Sequence, residues 1–315
     1  MSDNAARQTS LLSRWLGFPA RFTSDRRLFP YTLVLPTALV MLIVVLYPLI
    51  YNFILAFKNM SMYHFQDSTF VGFRQFTDVF RQRELYWVFG KTIVWTVVNV
   101  FFHVTIGVAV ALLLNGKIYG GGIFRSLLIL PWAVPQYISA LTWKGMFNHE
   151  YGAVNLILMK VFHHAPIPWF SDATWAFIAP IITNVWLGFP FMMIVALGGL
   201  QSIPHELYEA AELDGAGALG KLKNVTIPLL RPILAPAIVL GTVWTFNNMN
   251  VIWLVTGGGM PADKTHILVT YIYKAAFTYY RYSYAAAFSV IVFFLLLGFV
   301  FASMRYFKIT ESVFE

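Results

Sequence analysis

Residues 31–57 read YTLVLPTALVMLIVVLYPLIYNFILAF and contain no Asp, Glu, Lys or Arg. A helix needs about 20 mainly apolar residues to cross the hydrocarbon core of a bilayer. This run exceeds that length, and it is also too long for the apolar part of a cleaved signal peptide. It therefore predicts a membrane-spanning helix.

Further along the chain, other apolar stretches are also long enough to cross a membrane. They lie at 88–114, 123–147, 174–200, 233–256 and 284–306. Two of them contain two prolines each, which a membrane helix tolerates when neighbouring helices satisfy the freed carbonyl groups. The pattern predicts an all-α, polytopic membrane protein whose residues 31–306 form one domain of six transmembrane helices. The prolines in question are Pro131, Pro135, Pro180 and Pro190.

Composition supports this class. The 315-residue chain is 58% hydrophobic and 11% charged, whereas soluble domains are roughly 25% charged. Its 22 Lys and Arg against 14 Asp and Glu give a net charge of +8. The basic residues are scattered between apolar stretches, which argues against a nucleic-acid surface. Cysteine is absent, which excludes disulfides and thiolate chemistry.

The N-terminal arm, residues 1–30, is polar and rich in arginine. Because positive charge concentrates on the cytoplasmic side, the arm is predicted to be cytoplasmic. Six crossings would return the C-terminal tail, residues 307–315, to the same side. The loops 58–87, 148–173 and 257–283 would then face outward. The arginines of the arm are Arg7, Arg14, Arg21, Arg26 and Arg27.

The inward-facing loop 201–232 reads QSIPHELYEAAELDGAGALGKLKNVTIPLLRP and is the most acidic region of the chain. Pro204 followed by strong helix formers predicts a short helix that Gly215 and Gly217 end. Its glycines fit G-x-G-x-x-G, but no strand precedes them, so a dinucleotide site is rejected. The crowded acids are Glu206, Glu209, Glu212 and Asp214.

The spacing within this loop identifies a family. Glu209-Ala210-Ala211 is followed after three residues by Gly215, and nine residues later by Val225 and then Ile227-Pro228. This resembles the EAA loop of ABC-importer permeases, E-A-A-x3-G-x9-I-x-L-P, with two apolar substitutions. The stretches FVGFRQF (70–76), LPWAVPQYISALTWKGMF (130–147), LVTGGGM (254–260) and TYIYKAAF (270–277) resemble the carbohydrate-uptake group of that family.

The resemblance implies a type I ABC-importer permease in a bacterial inner membrane, with both termini in the cytoplasm. It implies four kinds of partner: a similar but non-identical second permease, two ATPase subunits, a periplasmic or surface-anchored solute-binding protein, and the lipid bilayer. ATP and Mg²⁺ would be bound by the ATPase, so this chain would carry no cofactor. The residues implied to couple to the ATPase are Glu209, Ala210, Ala211, Asp214 and Gly215. Without the spacing, an acidic solvated helix would explain the same residues.

Polar and aromatic side chains inside the predicted spans are candidates for a substrate pathway. Transporter sites use such groups facing the bundle interior, although hydrogen bonding between helices explains the same residues. The fifth stretch is the richest, with the fourth contributing two more. The candidates are Asn184, Trp186, Trp244, Asn247, Asn250 and Trp253.

Other function classes find less support. An ion-driven secondary transporter usually needs intramembrane acids, and the predicted spans contain no Asp or Glu. A membrane enzyme would need convergent His, Asp and Glu, and neither a catalytic arrangement nor a metal-binding motif is present. The resemblance implies sugars, most readily oligosaccharides. A polyol phosphate remains open within the same family. An acidic sugar also remains open, because Lys91, His103 and Lys144 lie near the ends of the pathway.

Overall fold

The computed structural model describes residues 29–116 and 118–307, and nearly all of them are helical or in short connections. The predicted N-terminal arm and C-terminal tail lie almost wholly outside these ranges. Within them, the only paired extended backbone is an antiparallel bridge between Lys58 and Phe70. The helices are α1 (Phe29–Met41), α2 (Tyr47–Ala56), α3 (Arg74–Arg81), α4 (Arg83–Asn115), α5 (Gly121–Ala133), α6 (Gln136–Met146), α7 (Ala153–Lys160), α8 (Ala173–Ser202), α9 (His205–Leu213), α10 (Ala218–Lys221), α11 (Ile227–Phe246), α12 (Met249–Thr256), α13 (Leu268–Phe277) and α14 (Tyr282–Phe307).

Five helical segments of the described chain are long and apolar enough to cross a membrane. Those near 31–57, 88–114, 174–200 and 284–306 confirm four of the predicted spans, with shifted ends. Pro180 and Pro190 are accommodated within one unbroken helix. The five segments are Leu33–Ala56, Arg83–Leu114, Ala173–Ser202, Ala218–Phe246 and Tyr282–Phe307.

The prediction of one continuous helix over 123–147 is wrong, so the count of six long spans is not confirmed. This stretch forms α5 and α6, separated at Val134 and Pro135. Proline disfavours helical backbone in the residue before it, and Val134 is extended at φ −74° and ψ 136°. Pro131, by contrast, lies inside α5.

The predicted helix over 233–256 is also wrong in its bounds. A continuous helical segment begins earlier, at Ala218, and ends at Phe246. We call this segment the rod. It includes α10, a wide π-helical turn at Leu222–Thr226, and α11. The chain then breaks, and α12 begins with Asn248 as its N-cap, since its side-chain oxygen accepts a 3.3 Å hydrogen bond from the Val251 amide.

The core forms around α4 and α8, which pack along most of their length. Helix α11 packs against both, and the broken pairs α5–α6 and α11–α12 meet beside α8. Side chains from α4, α6, α8 and α12 bury one apolar cluster that includes Trp95, Ala140, Leu187 and Val251. The packing therefore places two helix breaks next to the central helix pair.

The first apolar segment behaves differently from the others. In Leu33–Ala56 the most apolar window has no buried side chain, and only Ala56, at the segment's end, is buried. Its last turns pack on α14, where Phe53 meets Phe293 and Phe294 edge-on at 5.8 and 6.0 Å. Most of this helix thus presents an apolar surface outward, as lipid-facing helices do.

Candidate functional site

A cavity of about 700 Å³ lies where the two broken helices meet α4 and α8. Its lining includes the α5–α6 break at Ala133–Gln136 and the α11–α12 break at Asn247–Met249. Transporter sites are typically built at such discontinuous helices, where irregular backbone faces a cavity. The cavity is therefore the candidate functional site.

Aromatic rings form one wall of the cavity. Phe191 on α8 lies between Trp244 on α11, at a ring-centroid distance of 5.4 Å, and Trp132 on α5, at 6.4 Å. Trp132 and Trp244 are each 52% exposed, so their faces are available to a ligand. A cluster of rings of this kind suits the apolar faces of a polyhydroxylated ring.

Amide side chains form another part of the lining. Asn250 Nδ2 donates a long 3.3 Å bond to Gln136 Oε1 across the two helix breaks. Asn247 also lines the cavity, and its Nδ2 donates to the Val243 carbonyl at 3.1 Å. Asn247, Asn250 and Gln136 thus offer donors and acceptors suited to hydroxyl groups.

A chain of three amides, with Asn99 and Asn184 buried and Asn248 partly buried, fixes the α11–α12 break. Asn248 Nδ2 donates to Asn184 Oδ1 at 2.8 Å, and Asn184 Nδ2 donates to Asn99 Oδ1 at 2.9 Å. Asn99 Nδ2 then donates to the Trp95 carbonyl at 2.7 Å. We call Asn99, Asn184 and Asn248 the amide relay. Because it joins α4, α8 and the start of α12, it fixes the place where the rod ends.

Two further contacts reinforce the break. Trp95 Nε1 donates to the Thr245 carbonyl at 2.9 Å, in the last turn of α11. His103 Nε2 lies 2.9 Å from the Asn184 carbonyl, and its ring occupies the space where a side chain on Gly188 would lie. Gly188 therefore allows α4 and α8 to approach closely at the cavity.

The predicted pathway residues separate into two groups. Trp244, Asn247, Asn250 and Asn184 line the cavity, although both polar atoms of the Asn184 amide are bonded within the relay. Trp186 and Trp253 do not line it. Trp186 packs edge-on against Trp143 at 5.8 Å, and Trp253 packs against Tyr273 at 4.9 Å.

Sequence reasoning did not single out several lining residues. Phe191, Trp132 and Gln136 come from segments that read as ordinary apolar helix. Pro135 is a sequence signal for Trp132 and Gln136. The helix break that it favours places the end of α5 and the start of α6 at the cavity. The Phe191 side chain carries no such signal.

The short helix predicted after Pro204 is confirmed as α9, which ends before Gly215. Gly215 has φ +81°, a conformation that glycine adopts with little strain. Glu209 is exposed, and its carboxylate lies 3.0 Å from His205 Nδ1. Leu213 and Leu219, on either side of the turn, are 90% and 78% exposed. Exposed leucines beside small Ala210 make this a surface suited to a partner.

A cluster of titratable side chains joins the loop before α13 to α13 itself. Lys274 Nζ is 2.5 Å from Asp263 Oδ1, and the hydrogen bond that it donates lowers the pKa of the Asp263 carboxyl. Burial lowers the pKa of His266, whose side chain is 2% exposed beside Asp263. Ala262 and Asp263 hold positive φ values of 49° and 60°, so these contacts maintain an uncommon backbone conformation.

This loop is expected to lose stability in acid. The Asp263 contribution is complete above the ordinary aspartate pKa and is lost as pH falls through its lowered value. His266, buried as the neutral form, also loses stability once pH falls below its ordinary value. We expect Asp263→Asn to lower the thermal midpoint in detergent at pH 7.5, whereas the further loss between pH 7.5 and pH 5 persists in this variant because it comes from His266. Asp78→Asn is the control, and equal behaviour of both variants would contradict the assignment.

Comparisons with known proteins identify the chain. A family model described as binding-protein-dependent transport system inner membrane component matches residues 103–307. A probable ABC transporter permease of Brucella suis is 36% identical over 89% of this chain and 97% of its own length. The chain belongs to this family of ABC transporter permeases. The resemblance drawn from the EAA spacing is thus confirmed.

Curated relatives of this permease carry sugar-transport names. The galactooligosaccharides transport permease GanP of Bacillus subtilis is 37% identical over 84% of this chain and 66% of the relative. The trehalose/maltose permease MalF of Thermococcus litoralis is 35% identical over 87% of this chain and 92% of the relative. The chain spans about two thirds of the length of the first of these.

Solved structures agree on the fold of the permease. A bacterial ABC transporter involved in alginate import aligns with a TM-score of 0.77 at 23% identity, covering 90% of this chain and 96% of the other. The MetNI methionine ABC transporter aligns at 0.51 and 18% identity, covering 73% of this chain and all of the other. The helical ABC-importer permease fold is therefore established.

No cluster of three or more His, Asp or Glu side chains that could hold a metal ion occurs in the part of the permease that the structure describes. His163 and His164 lie in the connection after α7.

The amide relay predicts a structural role for Asn184. Asn184→Leu leaves Asn99 Oδ1 without its donor and Asn248 Nδ2 without its acceptor, and an unsatisfied buried polar group costs about 1–3 kcal/mol. We expect a clearly lower thermal midpoint in detergent for this variant. Asn250→Leu is the matched control, because Asn250 is exposed and makes one long bond. Equal midpoints for the two variants would contradict the relay.

Proposed function

We propose that this chain is one membrane-spanning half of an ATP-driven, binding-protein-dependent importer of neutral oligosaccharides. The observation that carries the proposal is the cavity, which combines an aromatic wall with amide groups where two helices break. Membership of the permease family and the sugar-transport names of its relatives support the same reading.

The lining favours uncharged sugars over the alternatives. Among the described residues, the cavity wall includes no Lys, Arg, Asp or Glu, and His103 is its one titratable side chain. Moving an unpaired phosphate or carboxylate into such a site is costly. Lys91 and Lys144 do not line the cavity. A polyol phosphate or an acidic sugar is therefore less well matched than a neutral oligosaccharide.

An ion-driven secondary transporter fits less well. Such proteins carry intramembrane carboxylates that bind the coupling ion. In the five long apolar segments, Asp and Glu occur only as Glu84, in the first turn of α4. ATP-driven transport needs no such group in this chain, since the ATPase is proposed to be a separate subunit that holds ATP and Mg²⁺.

The proposed arrangement has six crossings, with both termini and the coupling segment in the cytoplasm. The broken pair α5–α6 supplies the sixth crossing. Its 13 and 11 residues rise about 36 Å together, enough for the hydrocarbon core. A similar second permease, two ATPase subunits and an external solute-binding protein complete the transporter. Glu209, Ala210, Ala211, Asp214 and Gly215 form the contact with the ATPase.

Purification from native membranes tests this proposal. We expect the tagged chain to retain a second permease and an ATPase in mild detergent, and the complex to hydrolyse ATP. Uptake of a labelled neutral oligosaccharide should then require ATP and persist when ion gradients are collapsed. A chain that purifies alone, or uptake that follows an ion gradient, would contradict the proposal.

A further inference from the structure

A single rod connects the coupling segment with the cavity. The helical segment Ala218–Phe246 has 29 residues and is therefore about 43 Å long. It begins three residues after Gly215 and ends beside Asn247 and Asn248, at the break that lines the cavity. Whatever sets the angle between α9 and this rod also sets how a displacement of α9 reaches the cavity.

The backbone link between α9 and the rod is short. It consists of residues 214–217, with the Ala216 amide bonded to the Ala211 carbonyl at 2.9 Å. Gly215, with its positive φ, lies at the centre of the link. The backbone turn sets the direction of α9, and the side-chain hydrogen bonds across it determine how firmly α9 is held to the rod.

One side-chain contact bridges the turn from a half-buried position. Tyr208 on α9 places its hydroxyl 3.1 Å from Thr226 Oγ1, 18 residues along the chain. Thr226 is 4% exposed, and its hydroxyl also donates to the Lys221 carbonyl at 3.3 Å, across the π-helical turn of the rod. Tyr208 is thus joined to a hydroxyl that is itself fixed inside the rod.

A second side-chain contact across the turn is weaker because it is exposed to solvent. Glu212 Oε2 lies 2.7 Å from Lys221 Nζ, but the Glu212 side chain is 72% exposed. Exposed ion pairs contribute little and are screened by salt. Because Thr226 is buried, the Tyr208–Thr226 hydrogen bond is the better candidate for a fixed connection, or joint, between α9 and the rod.

We propose that Tyr208 is a positioning residue whose hydrogen bond to Thr226 locks α9 to the rod. The joint makes the coupling helix and Ala218–Phe246 move as one body, so that a displacement imposed on α9 arrives at Asn247 and Asn248. The proposal rests on the function proposed above, in which an ATPase contacts α9. It adds residues outside the predicted coupling set.

The test compares the ratio of sugar uptake to ATP hydrolysis in the complete transporter. Tyr208→Phe and Thr226→Val each remove one hydroxyl and keep the shape of the side chain. We expect each to lower the ratio about fivefold, the effect of losing one partly buried hydrogen bond. The double variant should equal Thr226→Val, because that single change already deletes the Tyr208–Thr226 contact together with the bond to the Lys221 carbonyl. Thr226→Ser should keep the wild-type ratio, and Glu212→Gln should change it less than twofold.

Two results would contradict the proposal that the Tyr208–Thr226 hydrogen bond locks α9 to the rod. The first is a wild-type ratio in Tyr208→Phe. The second is a parallel fall of uptake, hydrolysis and copurified ATPase, which is the signature of impaired assembly. Failure of the proposed function appears separately, as a wild-type complex that shows no ATP-driven uptake.

Discussion

Glu209→Lys and Gly215→Pro are each expected to abolish ATP-coupled uptake while the chain remains inserted in the membrane. Glu209 is exposed on α9, so reversing its charge alters a partner contact and leaves the core intact. Gly215 has φ +81°, whereas proline is fixed near −65°, so the turn that aims α9 cannot form. Uptake of labelled oligosaccharide, normalised to membrane expression, measures the effect.

Two matched variants serve as controls for this prediction. Glu150→Lys makes the same charge reversal at an exposed position in the loop before α7, distant in sequence from the coupling segment. Gly217→Pro places proline where φ is already −69°. Both controls should transport far better than their counterparts. Normal uptake by Glu209→Lys or Gly215→Pro at normal expression would remove the coupling role.

Trp244→Ala and Asn247→Leu are expected to lower uptake roughly tenfold or more, while basal ATP hydrolysis survives. Truncating a central aromatic contact commonly costs an interface about 2 kcal/mol or more. Trp244 stands beside Phe191 in the cavity wall, and Asn247 lies at the helix break. The measurement is uptake against substrate concentration, together with ATP hydrolysis by the purified complex.

Trp87→Ala is the control for the tryptophan variant, because Trp87 is 68% exposed and lies outside the cavity lining. Trp253→Ala provides a second comparison. The Trp253 ring packs on Tyr273, so its loss should lower the thermal midpoint more than it lowers substrate affinity. Wild-type uptake in both Trp244→Ala and Asn247→Leu would remove the cavity from the pathway.

The sequence predicted the membrane class and the family because both depend on local patterns. The run 31–57 needs only its length and lack of charge to indicate a spanning helix. The EAA spacing needs only Glu209, Gly215 and Pro228 at fixed separations. Neither inference depends on which residues meet in space.

The helix breaks were harder to predict because tertiary contacts decide them. Pro180, Pro190, Pro232 and Pro236 lie inside unbroken helices, whereas Pro135 marks a break. The α11–α12 break contains no proline and instead depends on Asn248 meeting Asn184 from α8. Hydropathy cannot register such a contact, and it joined both sides into one predicted span.

The pathway residues show the same limit. Polar residues in apolar spans fit either substrate ligands or links between helices, and the sequence pattern does not separate the two roles. The structure places Asn250 and Asn247 at the cavity with little bonding to other side chains, and places Asn184 inside the relay. Trp186 and Trp253 read identically to Trp244 in sequence, but their rings pack elsewhere.

The most direct test of the account is uptake by the purified complex in liposomes, with ATP enclosed alongside the ATPase and the solute-binding protein supplied on the other side. The account predicts that a neutral oligosaccharide accumulates only with both ATP and binding protein, and that Trp244→Ala removes accumulation without stopping ATP hydrolysis. Accumulation driven by an ion gradient without ATP, or full accumulation by Trp244→Ala, would contradict it.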